Sequence, residues 1–184
     1  MIPTLPLALR NRLAETILAA LHDARAREEL ASLVTDADAE RWLAGADHRW
    51  VAPLLERARR ASGALRGRPL RPDAPDLAAV MDDAAALFDA GLHFEVHELL
   101  EPHWAASVDD AREALQGLIQ AAVGLQHLAN GNRAGARSLL AEAGARLHGR
   151  RLLGRDLDVF AQATAGMADA VDGGAPVVPP PFPR

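Results

Sequence analysis

The sequence predicts an all-α protein, a compact bundle of antiparallel helix hairpins with an additional helical region at its N-terminal end. Three observations lead there. Apolar residues recur at helical spacing along most of the 184 residues, while β-branched residues are thinly spread and form no alternating runs. Gly91 and Asn130-Gly131 fall where periodic stretches break, as residues that end helices do. A composition of 49% hydrophobic and 24% charged residues is enough to fold around a core.

Taken in order, Leu5, Leu9, Leu13, Ile17 and Leu21 mark a long amphipathic segment. Asp36 is a candidate cap for a short helix through Leu43. A third segment, His48 to Ala61, sets Trp50, Val51, Leu54, Leu55 and Ala58 on one side. Gly63, Gly67, Pro69, Pro72 and Pro75 then mark a linker at roughly 64–75. This divides an N-terminal helical region, 1–65, from a bundle over 76–172. The stretch from Arg57 to Arg71 holds six Arg, read first as a solvated basic linker and second as a strip that docks an anion or the acidic C-terminal half.

Four helices follow: about Asp76–Ala90, about Leu92–Ser107, one from near Asp109 that ends at Asn130-Gly131, and one capped by Asn132 that runs to about His148. A final helix is expected over Arg155–Val171, and a Pro-rich tail, 173–184, is expected to be extended or disordered. Phe88-x-x-Gly91 with Leu99-Leu100 is echoed 40 residues later by Leu128-x-x-Gly131 with Leu139-Leu140, as two hairpins with the same turn would be.

Several functions are excluded or disfavoured. With no cysteine there is no disulfide, iron–sulfur cluster or thiol nucleophile, and a metal site must use His, Asp and Glu. A net charge of −5 gives no general affinity for nucleic acid. No apolar run approaches the ~20 residues of a membrane span, so no membrane partner is expected. Residues 1–10 lack the order of a secretory signal, so the expected location is cytoplasmic. His97-Glu98 is not followed by a second His at 101, no Glu-x-x-His pair occurs on these helices, and Ser107 and Ser138 have no base partner.

The chemistry collects on one helix. His97, Glu101 and Trp104 fall within roughly 60° of arc, and His93 lies one turn earlier. A His and a carboxylate at i and i+4 can aim both donors at one ion, so His97, Glu101 and His93 are candidate metal ligands for Zn, Mn, Fe or Ni. Glu98 is the candidate base acting through water, and Trp104 the wall of the site. On the next helix Gln116, Gln120 and His127 share a side, and Gly117 and Gly124 would admit a close neighbour. A buried amide without a partner costs about 1–3 kcal/mol, so these glutamines are expected to face His97 and Glu101 across an antiparallel pair.

The run Phe88-x-x-Gly91-x-x-Phe94-Glu95-x-His97-Glu98-x-Leu100-Glu101-x-x-Trp104 precedes Leu115-Gln116-Gly117-Leu118-Ile119-Gln120 and Asn132-x-x-Gly135-Ala136. Together these resemble domain-of-unknown-function family 309, a small all-helical domain of bacteria and archaea, over about residues 78–148. The resemblance maps the family's His-x-x-x-Glu-x-x-aromatic hallmark onto His97, Glu101 and Trp104. It implies a suggested metal site and no established activity, and it leaves the first 65 residues unexplained.

Two functions stay open. One is a metal-dependent enzyme, a hydrolase by the chemistry of its ligands. The other is a non-catalytic binding or regulatory module whose polar stripe is a hydrogen-bond network, with a protein partner or a second copy of the chain against it.

Overall fold

The computed structural model describes residues 5–45, 47–71 and 75–184, so Pro72 of the expected linker lies outside the described residues. Nine α-helices are described: α1 Leu7–Ala19, α2 Ala24–Ser32, α3 Asp36–Leu43, α4 Val51–Leu65, α5 Leu77–Asp89, α6 His93–Ala106, α7 Asp109–Ala129, α8 Arg133–Leu147 and α9 Asp158–Asp172. The all-α bundle is therefore the observed fold. No described helix is long and apolar enough to cross a membrane.

Helix ends follow local chemistry. Asp76 caps α5 by accepting from Ala79 N at 2.8 Å, and Asn132 caps α8 by accepting from Gly135 N at 3.0 Å. For α3 the cap is Thr35, not the expected Asp36. Its hydroxyl accepts from Asp38 N while Asp38 accepts from Thr35 N, a reciprocal pair that Asp36 could not form. Helix α2 has no strong apolar stripe and buries only Leu30, so periodicity did not reveal it; Asp23 starts it by accepting from Arg25 N and Ala26 N.

The 40-residue echo is two equal turns. Gly91, at φ +77°, donates to Phe88 O, and Leu92 N donates to Leu87 O. Gly131, at φ +80°, donates to Leu128 O, and Asn132 N donates to His127 O. Both are the two-bond helix stop that a left-handed glycine permits. Beyond each turn the matched leucines take the same places: Leu100 and Leu140 are buried, Leu99 and Leu139 half-buried.

The apolar core is one cluster running from Leu5 to Phe182, so α1–α4 and the bundle share it. Helix α7 lies at the centre, with eleven buried residues. Its glycines set its closest neighbour. A Cβ at Gly117 would stand 2.6 Å from Leu147 Cγ, and one at Gly124 would stand 2.9 Å from Leu140 Cγ, both on α8.

Two features depart from expectation after α8. A hairpin pairs Arg151 with Asp156 and Leu152 with Arg155, and it delays α9 to Asp158. Leu153 and Gly154 both have positive φ, the tight turn that matches strand twist; Leu-Gly is a weak signal for it compared with Asn-Gly. The tail is extended but held. Phe182 is 2% exposed between Phe88 and Phe160, its N–H donates to Asp89 Oδ1 at 3.0 Å, and Arg184 pairs with Asp89.

Gly117→Ala should destabilise the protein by about 1–3 kcal/mol, since the buried Leu147 side chain must shift to admit the added methyl. Gly166→Ala, on open helix surface, should instead add up to about 1 kcal/mol. Urea midpoints at unchanged slope would read both.

Candidate functional site

Inward-facing charge positions the site. Arg57 on α4 and Glu95 on α6 are each 1% exposed. Arg57 Nη1 donates to both Glu95 oxygens at 3.1 and 3.2 Å, and Nη2 donates to Gln126 Oε1 on α7 at 3.0 Å. Gln126 Nε2 passes the chain on to Asn130 Oδ1 at 3.2 Å. Burial pushes the Glu95 carboxyl above its ordinary range, and the adjacent guanidinium pulls it part of the way back. Both charged residues lie on apolar arcs, Arg57 beside Leu54, Ala58 and Ala61, and Glu95 beside Leu92 and Leu99. An opposite charge on the apolar side of each of two helices was the available signal for this pair.

With Glu95 inside, His97 emerges at the rim. Its Nδ1 lies 3.3 Å from Glu98 Oε1 and its Nε2 lies 3.8 Å from Glu101 Oε2. One donor atom from each of His97, Glu98 and Glu101 falls within 4.8 Å of the others. Ligands about 2 Å from one ion stand about 3–4 Å apart. Glu98 and Glu101 face different ring nitrogens of His97, so a shared ion would require one of these partly exposed carboxylates to swing round to the nitrogen that the other faces. Glu98, expected to act as base, thus stands with the metal-ligand candidates.

His93 does not join them. It is 3% exposed, packs edge-on to Phe88 at 5.0 Å, and lines a separate cavity with Arg60, Asp89 and the tail prolines. Its Nε2 is buried without a hydrogen-bond partner among the described residues. Burial, aided by the Arg57 charge, holds its pKa down to about 4, so it is neutral at pH 7.

His97 and Glu98 border a cavity of about 290 Å³ closed by Arg10, Phe94, Val123, Gln126, His127 and Asn130. The α7 wall is therefore the stripe 123-126-127-130, and only His127 of the expected facing stripe belongs to it. Gln120 points to α8: its Nε2 donates to Glu142 at 2.9 Å and its Oε1 accepts from Arg146 Nε at 3.2 Å. Gln116 is half-buried one turn before it. The glycine stripe turned that side of α7 toward α8 rather than α6. Trp104 lies at the far end of α6 beneath the Arg112 guanidinium, 4.1 Å from its ring centre, and does not line the cavity.

Donors dominate the opposite wall. Arg10 of α1 lies 4.1 Å over the Phe94 ring. Asn132 Oδ1 is committed to Gly135 N, so its amide nitrogen donates to His127 Nδ1 at 2.7 Å. Neutral His127 then carries its proton on Nε2. Arg10 could not be found from the sequence, because it belongs to the region outside the motif.

Fold and site together define a helical protein with a His/Glu cluster at the mouth of a polar cavity. Residues 81–139 match the model of DUF309, a domain of unknown function. The resemblance carried by the α6 motif therefore holds for this stretch, which takes in all of α6 and α7. Arg10 and Arg57 lie outside it. No curated protein and no solved structure matches the chain.

Arg57→Met should cost about 3–5 kcal/mol by stranding the Glu95 charge, and Arg57→Met/Glu95→Gln should cost less than the sum of the two changes; denaturant melts of the cycle test this. His93 gives a pH dependence. From its ordinary pKa of 6.5 down to about 4, the unfolded chain binds a proton that the folded chain refuses, so stability falls as pH falls through that window. The full loss is about 3 kcal/mol, and His93→Phe should flatten this part of the stability–pH curve.

Proposed function

We propose that this protein binds a divalent metal ion through His97, Glu98 and Glu101 and uses it on a small polar ligand held between α1, α6 and α7. The observation that carries the reading is the approach of three donor atoms to within 4.8 Å of one another at the edge of a cavity of about 290 Å³. The donor set of one imidazole and two carboxylates suits Zn, Mn, Fe or Ni. When bound, such an ion would polarise a ligand oxygen or sharpen a water into a nucleophile, so hydrolysis is the reaction class it fits.

The chain's own groups would do the rest. His127 offers an Nε2–H to an acceptor in the cavity, Arg10 offers a guanidinium, and Phe94 and Val123 form the apolar sides. Gln126 is held by Arg57 and Asn130, which fixes the cavity floor.

A non-catalytic reading is favoured by one observation, and for the inner layer only. Both Arg57 Nη atoms are taken up by Glu95 and Gln126, as in a structural network, although the buried Nε of Arg57 has no partner among the described residues.

Metal analysis of protein purified without an affinity tag should find a stoichiometric divalent ion. The ion should be lost from His97→Ala/Glu101→Ala while the thermal melt stays close to that of the parent. Absence of stoichiometric metal from the parent, or equal metal in the variant, would overturn the assignment.

A further inference from the structure

Of the six Arg between 57 and 71, four end on carboxylates. Arg57 meets Glu95, Arg60 meets Glu56 at 2.8 Å, and Arg68 and Arg71 clamp Asp83 at 2.6 and 3.0 Å. Arg57, Arg68 and Arg71 thus dock on carboxylates of α5 and α6, Arg60 pairs within α4, and only Arg59 and Arg66 are exposed as a solvated linker would have them. Arg59 and Arg66 are the two left over. Arg59 reaches the Val34 carbonyl at 3.4 Å, and Arg66 makes no ion pair among the described residues.

Both remaining arginines line one cavity of about 410 Å³ between α2 and the end of α4, and Arg27 of α2 joins them there. Arg27 donates to the carbonyls of Ala20 and Arg68 at 2.9 and 2.7 Å, while its Nη2 is shut from solvent with no acceptor among the described residues. Leu33, Val34 and Leu65 supply an apolar surface, and no Asp or Glu lines the cavity among the described residues. Three guanidiniums with no carboxylate beside them on the cavity wall, among the described residues, attract an anion, and a carboxylate matches the planar donors of the two exposed ones, Arg59 and Arg66. The apolar surface asks for a hydrocarbon body on that anion, and the volume falls in the range of small-molecule sites.

We propose that this cavity binds a small amphipathic carboxylic acid, its carboxylate held by the exposed Arg59 and Arg66 with the charge of Arg27 behind them, and its hydrocarbon laid against Leu33, Val34 and Leu65. The site shares no residue with the His97 cluster and stands independently of any metal there.

Calorimetric titration of the full chain with octanoate, octanol and acetate separates the two requirements. Octanoate should bind at one site at least about tenfold more tightly than octanol or acetate. Arg59→Gln/Arg66→Gln, at two exposed positions, should weaken octanoate at least about tenfold with an unchanged circular dichroism melt. The methyl NMR signals of Leu33, Val34 and Leu65 should shift on titration of the parent, a measurement that does not depend on the variant folding. Equal binding of octanoate and octanol, an unaffected double variant that is folded, or shifts confined to other residues would overturn the proposal.

Discussion

The Arg57 guanidinium sits where water does not reach, and the arrangement of α4, α6 and α7 follows from that. A charge so placed is tolerated only if its partners are held rigidly around it. Glu95 from α6 and Gln126 from α7 meet this demand, so three helices are fixed relative to one another by one side chain. The rotation of α6 is set at the same time. With Glu95 turned inward, His97 lies about 160° round the helix and must come out at the rim. The N-terminal region, which the family match does not cover, therefore helps hold the matched motif in its orientation.

Helix α7 divides its duties by side. Gly117 and Gly124 bring it close to α8, and the polar residues next to them, Gln120 with Glu142 and Arg146, seal that junction. The side bearing Val123, Gln126, His127 and Asn130 is left for the cavity. The packing of the bundle and the lining of the cavity thus draw on different residues, and a change in one need not disturb the other.

Much of the fold was legible because α5 through α9 obey a simple rule: apolar stripes of helical period broken by glycine, asparagine and cap residues. The equal turns at Gly91 and Gly131 were visible for the same reason, since a left-handed helix stop favours glycine. Helix α2 escaped because it buries a single leucine, and the hairpin at 151–156 because its turn uses Leu153 where asparagine is the usual signal. In the site, His97, Glu101 and their spacing were legible, since i and i+4 always meet on a helix. Which helix faced them was not. That depended on Gly117 and Gly124 favouring α8, and on α1 carrying Arg10 to Phe94, contacts between distant segments that periodicity does not encode. The nearness of Glu98 to His97 was not legible, because angular position alone ignores how far a glutamate side chain reaches.

The anchoring of Phe182 has a consequence for the order of folding. Its N–H reaches back 93 residues to the Asp89 carboxylate, and its ring packs on Phe88 and Phe160. A contact of that span closes a long loop before it gains anything, whereas the turns at Gly91 and Gly131 join residues already near one another. The helix hairpins thus form ahead of it, and the aromatic socket on Phe88 fills late, as a clasp over structure already in place.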